Sequence, residues 1–524
     1  MKRNTLILAI STLLFSFFFY EQRAGINFTF FSLALVAMLA IDDPKRLKDT
    51  RWLIFAVLSL ISGFFVGWHG TVISVMANIT ALSVLACHTL LPKTSFFPAF
   101  IFSVYSYLSS FVYMIIDLSD RSSAGKPKYN PAYPPASYRP ASEMGAGPDI
   151  QNNIPDQPAQ KGPKLETGAK IVIGVIGLAV LIVFISLYRK ASPVFKEFTD
   201  NINLDFISFR WLSFTFFGFL LMYGFFFIRH HKRLHENDVN APAQLSAEKL
   251  NLENGSFLGF RMDMRTEAII VMIFLGLLNL LLLLLNVIDI SFMASGGDLP
   301  TDVTYADFVH KGVGTLIVSV ILVIAIVMYF FRGALNFYEK SSSVRLLSNI
   351  WLIQNLILLV ATTFRNSVYV AEYDLTYKRI GVYVWLLLTA FGLITTLYKV
   401  MKKSSAWYLI RTNGWAFFAA ILLLGTVNWD ILIAKYNTRN VNDFDYEYLS
   451  RMNDNTLPAV YNALQQSKPE HVFSFDTDYH NSMFGLSNSK GEVESRIWSF
   501  NHKYEDMSWK SWNYDDWVTY NNLP

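Results

Sequence analysis

Along most of this chain, apolar residues gather into runs about as long as a bilayer is thick. Twelve such runs fall near residues 5–20, 26–41, 52–68, 71–91, 96–117, 169–187, 210–228, 267–288, 312–331, 349–364, 380–399 and 409–430. Runs such as Ala268 to Leu285 and Leu316 to Phe331 are too long and too uniformly apolar for helices of a soluble core. Hydrocarbon offers no partner to a backbone N–H or C=O, so a run of this kind must satisfy its own groups as a helix. The pattern predicts an all-α polytopic membrane protein with about 11–13 transmembrane helices and a small soluble C-terminal tail. The cores of the runs hold almost no ionisable side chain, which weakens an ion-coupled transport reading.

Between the fifth and sixth runs, Ser119 to Thr167 holds nine of the eighteen prolines, as in Tyr129-Asn130-Pro131-Ala132-Tyr133-Pro134-Pro135. Such a stretch buries too little apolar surface to offset its ordering entropy and predicts a disordered linker. The expected organisation is an N-terminal transmembrane module over 1–118, a Pro-rich cytoplasmic linker over 119–168, a main transmembrane bundle over 169–434, and an outward-facing, aromatic-rich acidic region over 435–524. From Ser192 to Ser208, Val194, Phe195, Phe198, Ile202 and Phe206 interleave with charges, which predicts an interfacial amphipathic helix, with a simple loop as the alternative. In the tail, Asp443 to Leu464 predicts a helix restarting near Thr456 and Pro458, and His471 to Phe475 a short strand. Trp509, Trp512 and Trp517 either pack the tail onto itself or sit at headgroup level.

Composition agrees: 53% hydrophobic and only 16% charged residues is not a soluble balance. The net charge of +4 conceals an acidic tail, where residues 435–524 carry 8 Lys/Arg against 13 Asp/Glu. The basic excess elsewhere flanks the membrane runs and calls for no nucleic-acid partner. A single cysteine, Cys87, excludes an intramolecular disulfide and a cysteine metal cluster, and reads as a packing thiol. Lys2 and Arg3 precede an apolar run without a small-residue cleavage site, the mark of an uncleaved first helix.

Basic loops orient the spans. Arg229-His230-His231-Lys232-Arg233 places the end of the seventh run in the cytoplasm, together with Arg332 to Arg345 and Lys399 to Lys403. Loops 289–311 and 365–379 and the tail then face outward. Counting back through five full spans, however, puts Lys2, Arg3, Lys45, Arg46, Lys48 and Arg51 outside, against their charge. One of the first five runs is then re-entrant or interfacial, or two of them merge.

Chemistry concentrates in three places. In the outer loop from Val370 to Arg379, with Arg365 upstream, Glu372, Asp374 and Arg379 supply acid, base and anion-clamp groups; Glu372 and Arg379 share a face if the segment is helical. The bland alternative is a structural ion-pair network. Asp307 and His310 are three residues apart, a spacing that makes a proton-handling pair on a helix or a cap beside an interfacial His. In the tail, His471, Asp476, Asp478 and His480 are the candidate metal ligands, since alternate positions share one face of a strand. The spans also carry uncharged Asn279, Asn286, Gln354 and Asn355, which more often bond helices together than bind substrate. No phosphate-cradling loop, metalloprotease helix, nucleophile elbow or dinucleotide fingerprint is present, and no cofactor is implied.

Five ordered fragments carry a resemblance: Ser192-Pro193-Val194-Phe195; Thr304-Tyr305-Ala306-Asp307-Phe308-Val309 with Gly312; Arg365 to Arg379 with Tyr373 and Leu375-Thr376; Asn428 with Asp430, Ile433-Ala434 and Tyr436-Asn437; and Trp509 with Ser511-Trp512-Asn513. Together they resemble, over roughly residues 190–515, a bacterial family of polytopic inner-membrane proteins known only as a domain of unknown function. In that family a Gly usually follows the Tyr of the third fragment; here Asp374 does. The resemblance implies a multi-pass protein of the bacterial inner membrane and supplies no chemistry.

Three readings remain open. The uncharged cores and missing catalytic motifs favour a non-catalytic envelope sensor, scaffold or regulator, with a protein partner met through the linker or tail. Outer-loop chemistry would make the chain an enzyme acting on lipid-linked or envelope substrates. Span number alone favours a transporter or flippase.

Overall fold

The computed structural model of the chain describes residues 2–123, 187–200, 209–247, 254–257, 259–294, 305–441, 444–467 and 482–524, with scattered positions between 174 and 185. Nearly all of it is helix: α1 (Lys2–Phe19), α2 (Ile26–Asp42), α3 (Thr50–His69), α4 (Val72–Leu90), α5 (Phe96–Ser123), α6 (Pro193–Asp200), α7 (Phe209–Phe226), α8 (Lys232–Asn240), α9 (Met264–Ala294), α10 (Tyr305–Phe330), α11 (Ser342–Tyr373), α12 (Tyr377–Lys402) and α13 (Ala406–Leu424). The C-terminal region adds α14 (Trp429–Asn437), α15 (Tyr446–Ser450), α16 (Leu457–Gln466), α17 (Ser482–Glu505) and α18 (Tyr514–Asn522). A short antiparallel hairpin, β1 (Asn254–Phe257) and β2 (Phe260–Asp263), precedes α9.

The chain is an all-α polytopic membrane protein. Among the described residues, 7 helices are long and apolar enough to cross a bilayer, and shorter apolar helices cover Thr5–Phe19, Ile26–Asp42, Arg210–Phe226 and Gly314–Phe330. Of the run at 169–187, described positions such as Gly174 and Leu181 are helical. Helix α5 continues to Ser123, into the stretch expected to be linker; residues 124–173 lie outside those described. Helix α6 occupies part of the expected interfacial segment, and the tail restarts at α16 as Pro458 predicts.

Two compact units are present, and neither coincides with a sequence segment on one side of the Pro-rich stretch. The first comprises residues 1–20 and 106–227. In it Phe15 of α1 stacks on Phe214 of α7 with ring centroids 5.2 Å apart, and Ser16 Oγ meets Thr215 Oγ1 at 2.8 Å. Tyr223 of α7 donates its hydroxyl hydrogen to Asp117 of α5.

The second unit comprises residues 21–105 and 228–524. Here α2, α3 and α4 run antiparallel around Asn78, whose Nδ2 donates to Ser32 Oγ (3.0 Å), Ser59 O (3.0 Å) and Ser62 Oγ (3.2 Å). Small residues let the backbones approach and give the amide its partners, a common packing solution where lipid supplies no hydrophobic drive. A larger core joins α9, α10, α11 and α12 through Leu275, Val327, Leu352 and Leu393, all buried. The opposite face of α9 exposes Leu277, Leu280, Leu281 and Leu284. A helix apolar on both faces fits a lipid-facing position.

This unit shows which basic loops share an end, where a count of five spans and the charge of the loops had disagreed. The Lys45–Arg51 loop joins α2 to α3 at the end where Arg51, Lys93 and Arg411 surround one pocket. Asp238 of α8 binds Ser95 there, and Leu245 N donates to Lys403 O at 3.0 Å, so the clusters near 232 and 403 lie at that end too. Their shared end agrees with their charge and not with a count of five full spans back from the linker.

At the opposite end the C-terminal region builds its own core. Leu449, Leu457, Val460, Val493 and Phe500 pack with Val370, Leu375 and Ile380 from the ends of α11 and α12. The tail therefore shares its core with a membrane hairpin.

Candidate functional site

The cluster from Val370 to Arg379 folds as a turn between two long helices. Helix α11 ends at Tyr373 and α12 begins at Tyr377, with Thr376 Oγ1 accepting from Arg379 N as its cap. Glu372 and Arg379 thus do not share a helix face, because the chain reverses between them. Glu372 is exposed. Arg379 turns back over the Tyr369 ring, 4.1 Å from its centroid, and donates to the carbonyls of Tyr373 and Asp374. Asp374 adopts φ 66°, ψ 179°, a region that glycine occupies freely and residues with a Cβ avoid. The tight turn forms with Asp374, not Gly, at this position.

Arg365 lies within α11 and pairs with Asp289 of α9, with 12% and 5% of their side chains exposed. Both residues stand just beyond the apolar runs 267–288 and 349–364, so the cores of those runs stay uncharged while their helices carry the pair. Lys399 is also buried and donates to Phe331 O at 3.0 Å. Local sequence did not mark the Asp289–Arg365 pair, because each residue stands near a helix end where charge is ordinary.

Tail and membrane helices are joined by polar side chains. Asn437 of α14 accepts from Leu375 N (2.9 Å) and donates to Leu375 O (3.0 Å), completing the turn's backbone bonds. Asp430 accepts from Tyr377 Oη (2.8 Å) and Asn453 Nδ2 (3.0 Å). Asp515 of α18 meets His69 Nδ1 at 2.7 Å, at the end of α3, and accepts from Asn428 Nδ2 at 2.6 Å. The other imidazole nitrogen faces Thr426 O at 3.0 Å. Ser511 Oγ accepts from Arg23 N at 2.9 Å, and Ile26 N donates to Trp512 O at 2.8 Å. Gly25 makes this approach possible, since a Cβ there would lie 2.5 Å from the Ser511 and Trp512 carbonyl oxygens.

Three of the five family-like fragments therefore meet in one joint: the turn after Tyr373, the Asn428–Asn437 helix and the Ser511–Asn513 segment. Of the other two, Ser192 Oγ accepts from Phe195 N (3.2 Å) at the start of α6, and Tyr305 to Gly312 opens α10. Asp307 and His310 fall on the first turns of α10, in positions whose side chains lie outside the described residues. The metal candidates His471, Asp476, Asp478 and His480 also lie outside them. Among the described residues, no group of three or more His, Cys, Asp or Glu is placed to hold a metal ion. His69 and Asp515 were missed by sequence reasoning, and no spacing signal could have paired residues 446 positions apart.

The membrane amides bridge helices. Asn279 donates to Leu275 O and Leu347 O and accepts from Gln354 Nε2 at 2.8 Å, while Asn286 donates to Gln354 O. Asn355 bonds within its own helix, to Trp351 O.

No curated protein and no solved structure matches the chain. A family model described as "Domain of unknown function (DUF4153)" matches residues 6–463, taking in both the membrane helices and most of the joint. The chain is therefore a multi-pass membrane protein that belongs to this family of unknown function.

Proposed function

We propose that the protein is a non-catalytic sensor or scaffold of a bacterial inner membrane, whose C-terminal region presents a surface to an envelope partner while coupled to the spans. One observation carries this reading: Arg379 of the outer cluster, and Asp430 and Asp515 beside it, are committed to the joint. Arg379 holds two backbone carbonyls and an aromatic face, Asp430 holds Tyr377 and Asn453, and Asp515 holds His69 and Asn428. Groups so engaged transmit position between a domain and a helix bundle, whereas a catalytic group must be free to meet substrate. Exposed Trp498 (64%) and Trp509 (56%) supply apolar contact surface on the same region.

The test is photo-crosslinking in whole cells from a probe at Trp498. A discrete adduct that disappears in Asp430→Asn and persists in Glu372→Gln supports coupling through the joint. Absence of any adduct, or loss of biological function in Glu372→Gln at normal protein level, overturns the reading in favour of an enzyme.

A further inference from the structure

The end of the second unit remote from the C-terminal region contains a cavity of about 310 Å³, lined by Arg51, Phe55, His88, Lys93, Arg411 and Trp415 among others. Its apolar wall is a set of stacked rings. Trp415 lies 5.4 Å from Phe55, and Phe55 lies 4.2 Å from His88. Most polar groups of the lining already have partners. Ser95 N and Oγ both donate to Asp238 at 2.7 Å. Arg411 Nε is 3.6 Å from Asp238 Oδ1, and its Nη2 donates to the carbonyls of Asp238 and Ala241. Thr94 Oγ1 meets His235 Nδ1 at 3.1 Å, and His88 Nδ1 meets Val84 O at 2.9 Å.

Arg51 and Lys93 remain. Both are exposed, and among the described residues neither has a carboxylate as ion-pair partner. Since Asp238 offsets Arg411, the pocket keeps an excess of two positive charges. It also lies beside the bilayer-facing surface. Ile54 lines it and is 51% exposed, and Val57, Ile61 and Phe64 continue an exposed apolar stripe along α3. A cationic recess at the foot of a lipid-facing stripe matches one ligand chemistry: a phosphate group carried by an amphiphile.

We propose that this pocket binds the phosphate of an anionic membrane lipid, with Arg51 and Lys93 holding the phosphate oxygens and the acyl chain lying along Ile54, Val57 and Ile61. Arg411 positions α8 to close one wall and is not the principal ligand. The shared chemistry is a phosphate ester, so a soluble phosphate is the alternative source.

Native mass spectrometry of the full chain in detergent, titrated separately with dihexanoyl phosphatidylglycerol, dihexanoyl phosphatidylcholine and inorganic phosphate, tests this. The expected result is preferential retention of phosphatidylglycerol, weakened about tenfold or more in Arg51→Gln/Lys93→Gln, a loss typical of charge-assisted contacts. Both side chains are exposed, so the variant should melt near the parent temperature. Should it fail to fold, the parent protein is titrated at rising ionic strength, and phosphatidylglycerol retention that does not fall overturns the proposal. Displacement of the lipid by inorganic phosphate, dependent on the same two residues, supports the site and identifies the soluble source. Equal retention of the two lipids, or undiminished binding by the double variant, overturns it.

Discussion

His69 Nδ1 lies 2.7 Å from a carboxylate oxygen of Asp515, linking the last residue of α3 to the last helix of the chain. Both residues are buried, at 9% and 7% exposure. The neighbouring partners of the pair, Thr426 O and Asn428 Nδ2, come from the segment that leaves α13. Three distant parts of the chain thus close on one carboxylate, and the membrane helices and the tail are held in register there.

Removing the imidazole should loosen that register. His69→Ala leaves Asp515 with one fewer donor in a buried site, a loss of about 1–3 kcal/mol. A cysteine at Ser511, shielded in the parent protein, should then react faster with a thiol reagent in a chain whose Cys87 is replaced. An unchanged labelling rate would show that other contacts alone hold the tail.

The turn at Asp374 predicts a gain. Its φ of 66° with extended ψ strains any residue with a Cβ, and the bond that Arg379 makes to the Asp374 carbonyl survives a change of side chain. Asp374→Gly should raise stability by about 1 kcal/mol after the entropy cost of glycine, seen as a higher melting temperature in detergent. Asp374→Ala should give no such gain.

The buried Asp289–Arg365 pair predicts non-additivity. Asp289→Asn or Arg365→Gln alone leaves an uncompensated charge inside the bundle, at a cost of about 3–5 kcal/mol. The double variant should recover part of that loss. Equal and additive losses in a thermal-denaturation cycle would show that the two groups do not interact.

Asp516 predicts a pH dependence in the tail. Burial raises its carboxyl above the ordinary value of 3.8, partly opposed by the Asn513 hydrogen bond and by Arg23. Between 3.8 and the raised value, the folded state holds more proton than the unfolded one. Stability from this group therefore falls as pH rises through that window. Asp516→Asn keeps an acceptor for Asn513 and removes the titration, so the variant should lose stability less steeply than the parent as pH rises above 3.8. Parallel curves would count against it.

Much of the architecture was legible because membrane helices are specified locally. A run of apolar residues must become a helix in hydrocarbon whatever surrounds it, and the runs at 52–68, 71–91, 380–399 and 409–430 correspond to α3, α4, α12 and α13. Where helices outrun their apolar cores, as α11 does from Ser342 to Tyr373, the sequence placed polar ends in loops. Arg365 was accordingly read as a loop residue, although it is buried against Asp289.

The sequence by itself determined the helical class, the membrane setting, the acidic tail and the residue types gathered in the family-like fragments. Tertiary structure decided which of those residues meet. Hydrophobic periodicity is a property of neighbours in the chain, whereas a hydrogen bond such as Tyr377 to Asp430 depends on how two helix ends are packed. It also decided that Lys45, Arg46 and Arg51 lie at the end holding Lys93 and Arg411, since charge shows that a loop is basic and only packing shows which loops share an end.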